Sequence, residues 1–285
     1  MTANALLFSD TLAGDLLTEE VDVFLPRVWG EFVYQYGTSV AGASSTTTPG
    51  AIGFEPGTVT YVTISTFRGS SADPDVVTLS GGGQTWEEVT LPNGYWSSGG
   101  TTRRRVQLFK AEGVAGNGQL TVSYTNTPSR IQLFVDRYYN SSGSPVQVVD
   151  EIQSMTNFVE YDVAMSAKQQ TSAVMSFIVT NVADNEDQLE MSGVNWRKLR
   201  SLKVSSAPTA SHSHYKYPSD GISDLSPGWI SSKGGSAAAY QFAIEIPYGV
   251  YSSPNVPLYG FGGQLRVLTG TLKVMTTGGL VQVYP

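Results

Sequence analysis

The chain has 285 residues, and its 17 Lys and Arg against 24 Asp and Glu give a net charge of −7. Because binding to nucleic-acid phosphates needs a basic field, this balance argues against nucleic acid as the main partner. The absence of cysteine excludes disulfides and Cys-ligated zinc, and the 40% hydrophobic content excludes a wholly disordered chain.

The N-terminal stretch, residues 1–30, is predicted to be an arm that lies on the body or on a neighbouring subunit. Met1–Asp10 lacks a basic region followed by a long apolar run, so we expect no signal peptide and synthesis in the cytoplasm. No apolar run approaches the roughly 20 residues of a membrane helix, so we expect no membrane partner. Ser9 or Asp10 is placed to cap a short helix whose apolar stripe is Leu12, Leu16, Leu17 and Val21.

From about Glu31 the hydrophobic pattern changes to period two, which indicates strands. Clusters of Gly, Pro, Asn and Ser separate the segments, as expected for tight turns. The sequence therefore predicts an all-β fold, a sandwich or jelly-roll-like domain. The segments that carry this pattern are Phe32–Tyr34, Thr58–Phe67, Val76–Leu79, Arg103–Phe109, Gln119–Tyr124 and Arg130–Tyr138.

An internal repeat is the most informative feature of the sequence. A Gly-x-x-Trp motif ending in Trp86 follows the strand Thr58–Ser65, and a second one ending in Trp196 follows Ser172–Val179. A strand ending in an aromatic residue comes next in each copy, at Phe109 and at Tyr217. A last strand follows, Ile131–Tyr138 in one copy and Ala238–Ile246 in the other, with Phe134 and Phe242 at similar spacing from the two tryptophans. Matching order and spacing predict two tandem copies of one β unit.

We place the first β unit at residues 31–140 and the second at 141–247. Whether the copies are two halves of one sandwich or two closely docked sandwiches stays open at this point. Residues 248–263, rich in Pro and Tyr, are predicted to be a linker. Residues 264–285 are predicted to form a small C-terminal meander of three strands, too small to be stable alone.

The residues from Thr58 to Ile246 resemble the β-sandwich structural proteins of tailed bacteriophages. The resemblance rests on the Gly-x-x-Trp turns, on the Arg-rich strand Arg103–Ala111, on Gly118–Val122, and on the strand that ends at Ile246. The C-terminal strands resemble the short Gly-turned repeats that close some phage tail and appendage proteins.

This resemblance implies a virion component that is not an enzyme and needs no cofactor. We expect a capsid decoration (cement) or head-fibre protein, located in the virion, that binds other virion proteins and forms a homo-oligomer. A tail appendage, or a module that binds a receptor or a host-surface glycan, is the alternative. A β-sandwich hydrolase is a third hypothesis, disfavoured because the chain has no Gly-x-Ser-x-Gly nucleophile turn.

Two groups of residues suggest metal chemistry, but we predict no metal site at either. His212 and His214 would share one face of a strand, the spacing of two zinc ligands, yet no third ligand follows in register. Asp184–Asp187 with Glu190 concentrates carboxylates without the order of a calcium-binding loop. We interpret the histidines as structural or surface residues and the carboxylates as a solvated acidic loop, with Ca²⁺ binding or a salt bridge to a basic partner surface as the alternatives.

The candidate contact residues are arginines, exposed aromatics and apolar strand residues. On a strand, Arg103 and Arg105 point one way and Arg104 the other. Tyr95 and Trp96 lie between turn residues and are predicted to be exposed, whereas Trp86 and Trp196 are interpreted as core. The full set of predicted interface residues is Tyr95, Trp96, Arg103, Arg105, Leu265, Val267, Leu272, Val274, Val281 and Val283.

Overall fold

A computed structural model gives the fold, and the predicted N-terminal helix lies outside the residues it describes. No helix occurs among those residues, so the predicted all-β class is confirmed. The chain divides into two compact units, Leu25–Val250 and Met1–Phe24 with Tyr251–Pro285. The structure describes residues 27–36, 45–56, 58–68, 76–97, 103–139, 141, 143–155, 160–166, 172–180, 189–192, 196–204, 209–216, 227–231, 237–247, 256–259, 265–268, 273–276 and 279–282.

The first sandwich comprises strands β1 to β11 of the larger unit. Its strands are β1 (Arg27–Tyr36), β2 (Ser45–Thr47), β3 (Ile52–Phe54), β4 (Thr58–Arg68), β5 (Thr78–Gly81), β6 (Glu87–Val89), β7 (Tyr95–Ser97), β8 (Arg103–Glu112), β9 (Gly116–Gly118), β10 (Leu120–Ser123) and β11 (Arg130–Tyr139). The large sheet has the order β1-β11-β4-β8-β6, with β7 also paired to β8. The small sheet has the order β2-β10-β5, and β3 pairs with β9.

The second sandwich comprises strands β12 to β19. They are β12 (Gln147–Met155), β13 (Glu160–Asp162), β14 (Ala173–Thr180), β15 (Leu189–Ser192), β16 (Trp196–Val204), β17 (Thr209–Lys216), β18 (Gly228–Ser231) and β19 (Ala237–Ile246). The large sheet has the order β12-β19-β14-β17-β16 and the small sheet β13-β18-β15. Each order matches that of the first sandwich strand for strand, and in each the first and last strands are neighbours in the large sheet. The arrangement is similar to a jelly roll, except that each large sheet has five or six strands and each small sheet three, rather than four each.

The strand register confirms the predicted repeat and corrects one of its landmarks. Starting from Asp136 in one copy and Ile244 in the other, each two residues after the landmarks Phe134 and Phe242, successive Cα partners across the large sheet lead to Glu87 and Arg197. The two motif tryptophans immediately precede these residues and are therefore equivalent. The parallel path from Val135 and Ala243 makes His214, not Tyr217, the counterpart of Phe109. The landmark spacing does not reveal this, because the connection from β16 to β17 is shorter than the connection from β6 to β8.

A turn of three glycines precedes Trp86 and sets its position. Gly81, Gly82 and Gly83 all have positive φ, a backbone conformation that residues other than glycine rarely adopt. A Cβ on Gly82 would lie 2.4 Å from the ring of Phe54, so the close approach of the turn to the core also requires glycine. Trp86 packs edge-to-face on Phe54 at 6.0 Å, and its indole N–H donates to the Gly81 carbonyl at 3.1 Å. Trp86 is thus partly buried at the margin of the core, whereas we predicted it inside. The Trp196 side chain lies outside the described part.

Each sandwich has its own apolar core between its large and small sheets. In the first sandwich, alternate residues along the large-sheet strands point toward the small sheet. They pack there on apolar residues of the small sheet, among them Leu79, Leu120 and Val122. In the second, Trp229 is fully buried, and its indole N–H donates to Ser176 Oγ at 3.1 Å. The two copies of the repeat therefore form two sandwiches and are not two halves of one sandwich, the alternative that the sequence left open.

The opposite faces of the two large sheets are buried as well, and they meet each other. Phe134 on β11 lies edge-to-face against Phe177 on β14, with ring centroids 5.2 Å apart, although the two strands belong to different sandwiches. Phe177 in turn stacks on Phe242 at 5.4 Å, and all three rings are completely buried. The larger unit is therefore four layers deep, with the two large sheets in the middle.

Hydrogen bonds at one margin join the two sandwiches. Asp150 on β12 accepts three bonds from Asn93 of the first sandwich: from the backbone N–H to Oδ2 at 2.7 Å, from Nδ2 to Oδ1 at 3.2 Å, and from Nδ2 to the carbonyl oxygen at 3.3 Å. The hydroxyl of Tyr240 on β19 donates to the same Oδ2 at 3.0 Å. A charged acceptor with several donors makes stronger bonds than a neutral one, so this contact fixes how the large sheets align.

The smaller unit contains two hairpins among its described residues. Strand β20 (Val256–Tyr259) pairs with β21 (Leu265–Leu268), and β22 (Lys273–Thr276) pairs with β23 (Gly279–Gln282). The predicted strands near 264–268, 271–275 and 280–284 are present within a few residues. The predicted three-stranded meander is replaced by two separate two-stranded sheets, because a strand forms inside the predicted linker 248–263 and takes β21 as its partner.

We predict that the large-sheet contact loses stability at alkaline pH through Tyr240. Burial, followed by the charge and hydrogen bond of Asp150, raises the pKa of Tyr240 above its ordinary value of 10.0. Below about pH 10 the hydroxyl is protonated in the folded and unfolded chains, so its contribution is fully present. As the pH rises further, only the unfolded chain ionises, and the free energy of unfolding falls by up to about 1.4 kcal/mol per pH unit.

The measurement is urea unfolding of the wild type and of Tyr240→Phe at pH 9, 10 and 11. The variant should show a shallower fall in the free energy of unfolding than the wild type, since it has no proton to lose. Identical slopes for the two proteins would contradict the assignment.

Candidate interaction surface

Four of the predicted contact residues come together on the β7–β8 hairpin. The register pairs Tyr95 with Arg105, Trp96 with Arg104, and Ser97 with Arg103. Tyr95, Arg103 and Arg105 are half-buried, so each side chain is in part accessible to a partner. The side chain of Trp96 lies outside the described part, although its backbone position on β7 is given. The sequence predicted these residues separately, and the strand pairing brings Tyr95, Arg103 and Arg105 to one face of the hairpin.

Arg105 and Tyr95 form a cation–π pair. The guanidinium carbon of Arg105 lies 4.9 Å from the centroid of the Tyr95 ring. Such a pair holds the planar guanidinium in one orientation against the ring. The pair therefore fixes the position of Arg105 relative to β7.

Arg104 points to the opposite face, as the alternation predicted. It is 3% exposed, and its guanidinium carbon lies 5.2 Å from the ring centroid of Phe67 on β4. Burial lowers the pKa of Arg104 to about 10. Arg104 thus contributes to packing, and Arg103 and Arg105 form the accessible part of the run.

The end of this sheet collects further arginines that the sequence analysis did not single out. Arg68, the last residue of β4, lies directly opposite Arg103, and Arg130, the first residue of β11, lies opposite Phe67. We call Arg68, Arg103 and Arg105 with Tyr95 the arginine patch. These residues come together through the pairing of β4 and β7 with β8.

The second sandwich presents an acidic surface on the outside of its small sheet. Glu160 on β13 and Glu190 on β15 both lie opposite Ile230 of the central strand β18, so the three residues form a row across the sheet. All three are exposed, as is Asp162 two positions along β13. We call these four residues the acidic face. Partial burial, followed by repulsion from Glu160, raises the pKa of Asp162 above its ordinary value.

The sequence analysis reached only one residue of the acidic face. It named Glu190 as part of an acidic loop, and the structure places Glu190 on a strand. The segment Asp184–Asp187 lies outside the described residues. Glu160 and Asp162 lie on either side of the buried Tyr161. This period-two pattern of charges around an apolar residue could have indicated a strand with an acidic outer face.

The C-terminal contact residues lie on the hairpins of the smaller unit. Leu265 and Val267 are opposite Tyr259 and Pro257, and Val274 is opposite Val281. Leu272 and Val283 lie outside the described residues. The contacts of these positions with a neighbouring subunit stay a prediction.

The two histidines lie on β17, where the register places His212 opposite Ile178 and His214 opposite Ser176. Both positions belong to the middle of a large sheet. Within the described part of the chain, no group of three or more His, Cys, Asp or Glu side chains is placed to hold a metal ion. In the same part, no helix is long and apolar enough to cross a membrane.

Comparison with known proteins gives no relative: no family model and no curated protein matches the chain.

We predict that Tyr95 and Arg105 stabilise each other measurably. A double-mutant cycle with Tyr95→Leu and Arg105→Met should give a coupling energy of about 0.5–1 kcal/mol, the value of a partly exposed cation–π pair. The measurement is urea unfolding of the wild type, both single variants and the double variant. Tyr95→Phe is the control, because it keeps the ring and should keep the coupling. Strictly additive effects of the two changes would contradict the pairing.

Proposed function

We propose that the chain is a structural protein of a bacteriophage particle, a capsid decoration (cement) or head-fibre protein that binds neighbouring virion subunits. It acts by adhesion and catalyses no reaction. The resemblance of residues 58–246 to phage β-sandwich proteins is the starting point of this proposal.

The observation that carries the proposal is the doubled jelly roll. Jelly rolls recur in viral capsid and lectin domains, in which the sheets form a scaffold and the edges and loops make contacts. The two large sheets cover each other. A partner can therefore reach only the small sheets, the ends of the sheets and the loops of this unit. A fold does not define a function by itself, so the surface chemistry has to agree with it.

The surface chemistry agrees with adhesion between proteins. The arginine patch combines Arg and Tyr, two residue types that are enriched among the residues that dominate binding energy at protein interfaces. The charges on this patch and on the acidic face suit contacts that are selected by charge complementarity.

A second candidate function is a tail appendage or receptor-binding module that holds a host-surface glycan. The specific observation in its favour is the half-buried Tyr95 ring on β7, directly before Trp96 on the same hairpin.

The proposal is tested by locating the protein in particles released from cells that carry this gene. After density-gradient purification, mass spectrometry should find the chain in a fixed ratio to the major capsid protein, and a specific antibody should decorate particles in electron micrographs. An abundant host cytosolic protein serves as the control for contamination. Recovery of the chain only from the soluble fraction of the lysate, with unlabelled particles, would refute the proposal.

A further inference from the structure

The sequence contains two Asn–Gly pairs, Asn93–Gly94 and Asn117–Gly118, and both lie in the first sandwich. Asparagine followed by glycine is the pair most prone to deamidation, because glycine has no Cβ to keep its backbone nitrogen away from the asparagine side chain. Both asparagines are exposed. Sequence and exposure therefore predict similar reactivity for the two pairs, and the difference between them lies in their contacts.

Hydrogen bonds hold the Asn93–Gly94 pair in place. The Asn93 side-chain nitrogen donates to Asp150 of the second sandwich, to Oδ1 at 3.2 Å and to the carbonyl oxygen at 3.3 Å. The Gly94 backbone N–H donates to the Leu91 carbonyl at 3.1 Å in a turn. Gly94 is also buried, and its carbonyl accepts from the Val106 N–H at 2.6 Å. Attack by the Gly94 nitrogen on the Asn93 side chain therefore requires that the side chain first leave Asp150.

The Asn117–Gly118 pair has weaker restraints. Asn117 is the middle residue of β9, between Gly116 and Gly118. Within the part of the chain that the structure describes, its side chain makes no hydrogen bond. Among the described strands, β9 pairs only with the three-residue strand β3, and a two-stranded ladder of this length opens at low cost. The exposed Asn117 amide can thus reach the Gly118 nitrogen when β9 opens.

We propose that Asn117 is a site of spontaneous deamidation and that the contact with Asp150 protects Asn93 from the same reaction. The Gly118 nitrogen forms a bond to Cγ of Asn117, the Cγ–Nδ2 bond breaks, and the amide leaves as ammonia with the proton of the Gly118 N–H. Water then adds to one carbonyl carbon of the cyclic imide and breaks its bond to the Gly118 nitrogen, which regains a proton. The product is aspartate or isoaspartate, and the proposal does not depend on the proposed function.

The protection of Asn93 bears on the packing of the two sandwiches. Deamidation there would remove the Nδ2 donor and place a second carboxylate against Asp150, and like charges at that distance repel. At Asn117 the new carboxylate would lie in solvent. The contact between the sandwiches therefore protects the residue on which it depends, and the modification occurs away from it.

The test is incubation of the full chain in mildly alkaline buffer at body temperature, followed by peptide mapping with mass spectrometry. The mass gain at each Asn–Gly pair is followed over time in the folded wild type and in the urea-unfolded wild type. In the unfolded chain the two pairs should react at similar rates. In the folded chain Asn117 should react at least about tenfold faster than Asn93, because hydrogen bonds to a charged acceptor must open before Asn93 reacts.

Two variants separate the contact from general stability. Asp150→Ala removes the carboxylate and should raise the rate at Asn93 about tenfold. The rate at Asn117 should stay unchanged in this variant and so reports that the first sandwich is folded. Tyr240→Phe is the matched control, because it removes a different donor to Asp150 and leaves the Asn93 bonds in place, so Asn93 should stay slow.

Three results would overturn the proposal. Asn117 could stay intact in the folded chain while the unfolded chain reacts, Asn93 could react as fast as Asn117 in the folded wild type, or Asp150→Ala could leave the rate at Asn93 unchanged. Faster reaction at both pairs in Asp150→Ala would indicate general unfolding of that variant. In that case the comparison of the folded and unfolded wild type decides the question by itself.

Discussion

The packing of the two large sheets against each other is the constraint on which the rest of the structure depends. A sheet in a β-sandwich usually has one face on the core and one in water. Here both faces of the central strands are covered: every residue of β14 is buried, as are the first nine of β4. Because a large sheet is enclosed on both sides, neither sandwich can expose it without leaving Phe134 or Phe177 in water. The tandem repeat is therefore one folded body.

This packing also decides which surfaces remain for binding. The large sheets offer only their ends and edges, and the hairpin β7–β8 extends the sheet at one such end. The second small sheet keeps an outer face in solvent, and its residues there are Glu160, Asp162 and Glu190. These charged residues thus lie at the end of a large sheet and on the outer face of a small sheet.

The sequence predicted the repeat and most strands because these depend on local pattern. Gly-x-x-Trp turns and period-two segments are visible within about ten residues, and the register confirms that the motif tryptophans are equivalent. The four-layer packing was not predictable in the same way. Thr63 and Ser65 of β4 are buried, although Thr and Ser are mostly exposed in proteins. Hydroxyl side chains suit either environment when they are hydrogen-bonded, so composition does not distinguish a covered face from a wet one.

The candidate surface was predictable only in part for a related reason. Arg103 and Arg105 are two residues apart, so their common face follows from the sequence. Arg68 lies 35 positions earlier and joins them only through the pairing of β4 with β8. Glu160 and Glu190 likewise meet through β18, which comes after both in the chain. Strand order in a jelly roll is non-local, and a single sequence does not give it.

Hydrogen exchange measured on Phe134→Ala tests the central packing most directly. Phe134 belongs to the first sandwich but contacts Phe177 of the second, and removing a buried Phe side chain typically costs about 3–5 kcal/mol. Leu133→Ala is the matched control, because Leu133 precedes it on β11 and faces the core of the first sandwich. The account predicts faster exchange in Ala173–Thr180 for Phe134→Ala, beyond any change in Leu133→Ala. Unchanged protection of that strand, with loss confined to the first sandwich, would contradict it.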